Sequence, residues 1–440
     1  MGGSMKKKFA QGMLALIASL TCLTVSTGAA VPSRETAQGL GFSAPRIAAL
    51  DHFYETQVQR GDMAGIVLLI ARHGKIAHQA AIGYADLESR KPLTLDALYR
   101  WYSMTKPITS TAMMMLYEQG RFQLKDPVSK YIPEFANLRV LRKPDGPLTD
   151  TGALERPLTI QDVMRHTAGF THGLGVDPYE KLYTEAQVFG VDVPLSDMMR
   201  KLASIPLHHQ PGTTFEYGVG PDIQARLVEV LSGMPFDEYL RRNLFEPLKM
   251  KDTGFYATGD AAQRLVPVSW SKQGKLVPLD EVHGHPDGGV LVEPWSVNSY
   301  TENHQRKGGS FGLIGTAGDY LRFAQMMLNG GQLDGVRILS PRTVAFMTRD
   351  HLGAIEMPSF DGGKSGMGFG LGFAVIKDPA MAGEMSSAGT YTWAGAAATF
   401  FWVDPKEDLV VVALTQLMDA PAADPLWAQL RALVYASLID

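Results

Sequence analysis

A chain of 440 residues, 45% apolar and 20% charged, has the composition of an ordinary globular protein and room for two domains or one large domain with a subdomain. A formal charge of −4 offers no basic surface for nucleic acid. The single cysteine, Cys22, excludes an intrachain disulfide and, once the N-terminal segment is set aside, also excludes thiol nucleophiles and thiolate metal sites.

Residues 1–4 read as a cloning scar ahead of Met5. Lys6, Lys7 and Lys8, an apolar run over 13–23 and the small residues Thr27-Gly28-Ala29-Ala30 then have the order of a secretory signal peptide, so residues 1–30 are expected to be removed after Ala30 and the protein to be periplasmic or secreted. The run is short and rich in Ser and Thr for a membrane span, and no stable membrane insertion is expected. Thr21 before Cys22 fits a lipoprotein poorly. Without residues 1–30 the chain carries 38 basic and 45 acidic residues, a charge of −7.

Ser43 stands as a helix cap before Ile47, Leu50, Tyr54 and Val58, which share one face, and Gly61 closes that helix. Residues 65–71 are continuously apolar and predict a strand buried on both faces. The turn Arg72-His73-Gly74-Lys75 leads into a second strand over 76–84, giving an antiparallel hairpin. Residues 98–102 predict extended chain. From Pro107, Ile108, Ala112, Met115 and Leu116 recur at helical spacing until Gly120. Ser103 and Lys106 therefore lie at i and i+3 on one face of a helix start, with an amine in reach of a hydroxyl. A serine needs such a neighbour, because its hydroxyl is a weak nucleophile until a base takes the proton. The helix N-terminus adds positive potential that favours a developing oxyanion. S-x-x-K alone is a weak signal: it also describes a capping serine beside a solvated lysine, and it recurs at Ser4/Lys7 in the N-terminal segment and at Ser269/Lys272 before a turn.

Residues 124–133 predict a loop with a short helical turn. Thr159-Ile160-Gln161-Asp162 opens a helix with Asp162 as the acidic member of a capping box. It ends at 165–169, where His166 reads as a loop residue closing the helix rather than as a base. Residues 170–200 carry several Gly and Pro and predict an irregular flap over a site. After the tight turn Gln210-Pro211-Gly212, Tyr217 directly precedes a helix from Pro221 or Asp222 to Leu231, stopped by Gly233. A strand is predicted at 290–292. His283-Gly284-His285 places two imidazoles together without a third ligand, and H-E-x-x-H is absent, so neither metal nor cofactor is expected. Gly308-Gly309-Ser310-Phe311-Gly312 matches the G-x-S-x-G nucleophile elbow, but no buried strand precedes it and the next helix starts only at Thr316, capped with Asp319. A glycine-rich turn explains it better. Strands follow at 369–376, 397–403 and 409–415. A last amphipathic helix from Pro425 carries Leu426, Leu430, Leu433 and Val434.

Ser103-Met104-Thr105-Lys106, then Tyr217, then Trp393-Ala394-Gly395-Ala396 occur in an order that resembles the serine β-lactamase and penicillin-binding-protein superfamily, and within it the class C β-lactamase-like branch called family VIII carboxylesterases. The likeness runs from about Ser43 to the C-terminus and includes residues 309–320 and Phe400-Phe401-Trp402-Val403-Asp404-Pro405. It implies an α+β fold: an antiparallel sheet flanked by helices, formed by residues 37–115 and 270–440, with a mainly α-helical domain inserted over 116–269. Two departures mark the esterase branch. Class C β-lactamases carry Tyr-x-Asn where this chain has Tyr217-Gly218-Val219, and Lys-Thr-Gly where it has Trp393-Ala394-Gly395. The resemblance implies that Ser103 attacks an ester carbonyl, that Tyr217 is the general base beside Lys106, and that the backbone N–H groups of Ser103 and Ala396 form an oxyanion hole. Trp393, Gly395 and Val219 are expected to contact a small-molecule ester substrate. A β-lactamase or D-amino-acid peptidase using the same residues is the alternative, followed by a non-catalytic cell-wall-binding protein.

Overall fold

The computed structural model describes residues 34–440 apart from 174, 176, 191, 273–274, 279–299, 359–364 and 419. The expected signal peptide with Cys22, the His283/His285 pair and the strand at 290–292 lie outside the described residues.

An antiparallel sheet of eight strands forms the framework. In chain order these are β1 (Gly65–Arg72), β2 (Lys75–Asp86), β3 (Lys91–Pro92), β4 (Met367–Phe369), β5 (Ala374–Ile376), β6 (Tyr391–Gly395), β7 (Thr399–Asp404) and β8 (Leu409–Leu414). They lie side by side as β4-β5-β6-β7-β8-β1-β2-β3. The predicted first hairpin turns on His73 and Gly74, with φ of 53° and 70°. Two positive φ values in a two-residue loop match the right-handed twist of the flanking strands.

Every residue of β1 is buried. Because side chains alternate between faces, Ile66, Leu68 and Ile70 enter one core with Phe400, Trp402, Val411 and Ala413. Helices α1 (Ala44–Arg60) and α6 (Ala420–Ser437) cover that face through Ile47, Leu50, Tyr54, Leu426, Leu430 and Val434. Val67, Leu69, Phe401, Val403, Val410 and Val412 face a second, larger core. Helices on both sides explain why these strands read as unbroken apolar runs rather than as alternating ones.

Helix α2 (Thr105–Glu118) runs through the larger core and is buried from Thr105 to Met114. Its buried hydroxyls are consequently bonded: Thr105 accepts the Leu313 N–H, and Thr109 donates to the Gly309 carbonyl, Ser110 to Gln224 Oε1 and Thr111 to the Pro107 carbonyl. Helices α3 (Ile160–Met164), α4 (Gly220–Ser232) and α5 (Ala317–Leu328) add Ile160, Val163, Ile223, Leu227, Tyr320 and Phe323 to the same core. Thr159 and Asp162 form the expected capping box.

Several expectations are corrected. Ser43 occupies the cap position of α1, but its side chain accepts no capping hydrogen bond. Residues 170–200 are not an irregular flap: they contain the helices Pro178–Glu185 and Leu195–Ala203, which bury Tyr179, Tyr183, Met198, Met199 and Leu202. The first is capped by Asp177, with Pro178 in its first turn. The stretch 369–376 is two paired strands, because Gly370 and Gly372 fold the chain back between Phe369 and Ala374. A Cβ at Gly372 would lie 2.4 Å from Ser110, so the bend packs directly on α2. Helix α6 begins at Ala420, ahead of Pro425, and Arg34–Gly39 adds a short helix that the pattern did not announce. Ser269–Lys272 is a strand, which keeps Lys272 from the helical placement that Lys106 has. Among the described residues no helix is long and apolar enough to cross a membrane.

Candidate active site

Ser103 lies in a single 3-10 turn, Tyr102–Met104, that leads into α2. Three neighbours fix this turn. The Trp101 carbonyl accepts from Thr399 Oγ1 of β7 at 3.1 Å, the Trp101 N–H donates to the Leu313 carbonyl at 2.9 Å, and the Met104 carbonyl accepts from the Tyr320 hydroxyl of α5 at 3.0 Å. Tyr102 takes a φ of 46°, the left-handed region that costs a residue with a side chain about 1–2 kcal/mol. The anchored surroundings hold that strain directly before the serine.

One turn on, Lys106 Nζ donates to Ser103 Oγ at 3.0 Å and to the Ser310 carbonyl at 2.8 Å. It also sits 4.7 Å over the Tyr217 ring. The Tyr217 hydroxyl donates to the same Ser103 Oγ at 2.9 Å, across 114 residues of chain. Lys106 is only 4% exposed, and a buried amine needs such partners. Two hydrogen-bonding groups on one serine oxygen have a chemical meaning. When the amine or the phenol holds no proton, it becomes an acceptor for the Ser103 hydroxyl, and the heavy atoms need not move.

The Gly308–Gly312 segment is buried beside this triangle. Ser310 Oγ has no hydrogen-bond partner among the described residues. Its carbonyl is the part that touches the site, through Lys106. Gly309 is required by close packing, since a Cβ there would lie 2.0 Å from the Pro221 carbonyl. The segment is held by Asp222 in the first turn of α4, whose Oδ1 accepts from the N–H groups of Gly309 at 2.9 Å and Ser310 at 3.3 Å. Asp222 is fully buried, and its charge acts on the nearby Arg306 guanidinium without a direct hydrogen bond between them. Burial lowers the pKa of that guanidinium, while Asp222 acts in the opposite sense.

His166 has a larger part than closing a helix. Its carbonyl accepts the Glu216 N–H at 2.7 Å and its Nδ1 accepts the Gly218 N–H at 3.2 Å, so it grips the chain on both sides of Tyr217. Its ring packs 4.9 Å from the Tyr217 ring. Burial, reinforced by the Lys106 charge, pushes its pKa down to about 3, which keeps Nδ1 an acceptor at neutral pH. His166→Phe keeps a ring but strands the Gly218 N–H, at a cost of about 1–3 kcal/mol. The expected result is a lower thermal midpoint and a roughly tenfold fall in kcat, a positioning loss of the kind that leaves KM little changed. Steady-state kinetics and a melting curve check both.

Trp393 in β6 is half-buried, 5.4 Å from the Tyr217 ring and 5.3 Å from that of Phe369. Its Nε1–H has no partner among the described residues. With Phe215, Ile355, Met357 and Met367, all half-buried, it makes an apolar wall beside Tyr217. Gly395 has no room for a side chain: a Cβ would meet Thr399 Oγ1 at 2.2 Å and the Trp101 carbonyl at 2.4 Å. The glycine thus lets β6 press against the residues just before Ser103. Ala396 follows as the exposed residue of the turn between β6 and β7, whose other two residues, Ala397 and Ala398, are buried. Val219 is a correction. It is 1% exposed, its side chain lies in the main core, and it serves as the cap residue of α4 rather than facing a ligand.

The Beta-lactamase family profile matches residues 50–436. The chain belongs to that family. Esterase EstB of Burkholderia gladioli is 31% identical over 400 residues, 88% of this chain and 95% of EstB. Rv1367c of Mycobacterium tuberculosis is 34% identical over 388 residues, 84% of this chain and 92% of its own. Among solved structures, EstCE1, described as a hydrolase with promiscuous acyltransferase activity, superposes with a TM-score of 0.75 at 26% identity, covering 91% of this chain and all of EstCE1. The family match and the likeness to an esterase and to a hydrolase bear out the resemblance drawn from the motifs. The protein is a serine hydrolase of the β-lactamase-like fold.

Proposed function

We propose that the protein is a carboxylesterase that cleaves short-chain acyl esters through an acyl-enzyme on Ser103. Ser103 Oγ attacks the ester carbonyl carbon while its proton passes to Tyr217, which Lys106 assists. The tetrahedral oxyanion is met by the backbone N–H groups of Ser103 and Ala396, where one such donor is worth about 3 kcal/mol. The carbon–oxygen bond to the alcohol then breaks, and Tyr217 returns the proton to the leaving alkoxide. Water repeats the sequence on the acyl-enzyme and releases the acid.

The observation that carries this reading is the apolar wall around Trp393, where β-lactam-processing relatives place a lysine. A carboxylate held by a lysine gains a charge-assisted hydrogen bond of about 1.5–3 kcal/mol. An indole N–H offers less, whereas an acyl chain gains about 0.8 kcal/mol per buried methylene against Phe215, Met357 and Met367. EstB and EstCE1 support the same assignment by their names.

Paired kinetics on p-nitrophenyl butyrate and a penicillin test it. The kcat/KM for the ester is expected to exceed that for the penicillin by several decades, with weak cephalosporin hydrolysis retained by the shared Ser103, Lys106 and Tyr217. Trp393→Lys is expected to lower ester turnover and tighten binding of carboxylate-bearing substrates by about one to two decades. Unaltered protein that prefers the penicillin would overturn the esterase reading in favour of a β-lactamase.

A further inference from the structure

His208, His209 and Glu216 converge on the far side of the segment that carries Tyr217. His208 Nδ1 lies 3.3 Å and His209 Nε2 3.0 Å from the same oxygen, Glu216 Oε2. One ligand atom from each of the three residues lies within 4.8 Å of the other two. We infer that these three side chains bind a divalent transition-metal ion of the zinc type. Two imidazoles and one carboxylate make a borderline donor set that suits such an ion and suits calcium or magnesium poorly.

The spacing fits. Zinc bonds of about 2.0–2.2 Å in a tetrahedron set neighbouring ligand atoms roughly 3.3–3.5 Å apart. Both nitrogen–oxygen edges are already near that length. The third edge, between the imidazoles, closes by small side-chain rotations. Convergence on a single oxygen is also hard to explain as ion pairing alone, since one carboxylate has two oxygens to offer two donors. A metal ion set among the three atoms uses all of them.

The backbone pre-sets this arrangement. The His208 N–H donates to the Gly169 carbonyl, the Gly212 N–H to the Thr167 carbonyl and the Glu216 N–H to the His166 carbonyl, each at 2.7 Å. Three bonds to one four-residue stretch hold the two ends of the 208–216 loop in register, so ligands eight residues apart face one another. Tyr179 stacks on the His208 ring at 4.5 Å. Ligating histidines are characteristically oriented by such outer contacts. The three side chains remain 23–24% exposed, which leaves an entry path and a position for water as the remaining ligand. No step of the ester chemistry depends on this ion.

The test is zinc titration by calorimetry on the whole chain without an affinity tag, after dialysis against a chelator, with cobalt absorption as a second readout. One zinc per chain is expected, with cobalt giving the visible bands of a four- or five-coordinate site. His208→Ala, His209→Ala and Glu216→Gln should each weaken zinc at least tenfold and remove the cobalt bands, while Ser103→Ala leaves both unchanged. Glu216→Gln keeps an oxygen for both imidazoles, so loss of zinc at an unchanged thermal midpoint separates ligation from misfolding. No saturable binding by the unaltered protein, or equal affinity in all three variants, would overturn the inference.

Discussion

Ser103→Ala is expected to lower p-nitrophenyl ester turnover by about four orders of magnitude or more, the usual loss when a covalent nucleophile is removed. Ser310→Ala is expected to leave turnover within roughly a factor of ten and to raise stability slightly, because a buried hydroxyl without a partner costs about 1–3 kcal/mol. What Ser310 gives the site is its carbonyl on Lys106, and a side-chain truncation leaves the carbonyl in place. Ester kinetics and a denaturant titration on both variants decide the matter. Loss of activity in Ser310→Ala with retention in Ser103→Ala would move the nucleophile to the glycine-rich turn.

The second large effect is expected at Asp222, which is fully buried. Asp222→Ala leaves the Gly309 and Ser310 N–H groups without their acceptor and removes a negative charge that acts on the Arg306 guanidinium. Leaving two buried N–H groups unpaired in this way costs about 1–3 kcal/mol for each. The same change frees the turn that aims the Ser310 carbonyl at Lys106, so kcat should fall by about two orders of magnitude, the scale of a misplacement near 1 Å. Asp222→Asn keeps an oxygen for both N–H groups and loses only the charge. It should therefore retain most of the activity while still losing stability. Equal kcat in the alanine variant and the parent would show that Lys106 is placed without this turn.

Local chemistry made the central triangle legible. Ser103 and Lys106 are one helical turn apart, and Tyr217 stands before a helix with clear start and stop signals, so spacing and order were enough to select them. The apolar runs of β1, β7 and β8 were legible because both of their faces are covered. Other features depend on what the chain meets far away in sequence. His166 looks like an ordinary helix-closing residue until the Glu216 and Gly218 N–H groups arrive from fifty residues on. Asp222 looks like an acidic residue in a helix first turn, and only the approach of Gly309 and Ser310 gives it a different task. Val219 was expected at the substrate because of its place in the Tyr-x-x triplet, but α4 starts there and its cap residue turns into the core. The helices within 170–200 did carry local signals, Asp177-Pro178 and Pro194, which the surrounding glycines obscured. His208, His209 and Glu216 sit on either side of a turn, a grouping that no helical or strand period brings together.

The sheet order has a consequence for how the enzyme is made. β1 lies between β2, its immediate neighbour in sequence, and β8, which is synthesised after every other strand of this sheet. The segment before α1 also meets the residues after α6, with the Ser43 N–H on the Ser437 carbonyl and the Ile439 N–H on the Gly41 carbonyl. An emerging polypeptide therefore holds Ser103, Lys106 and Tyr217 long before it holds β6 with Trp393, Gly395 and Ala396. Until then one long edge of β1 and both of its apolar faces lack their final cover, the situation in which long-range pairing is slow and unfinished chains associate. Hydrolytic competence thus waits until β6, β7 and β8 complete the sheet and bring the wall of the pocket with them.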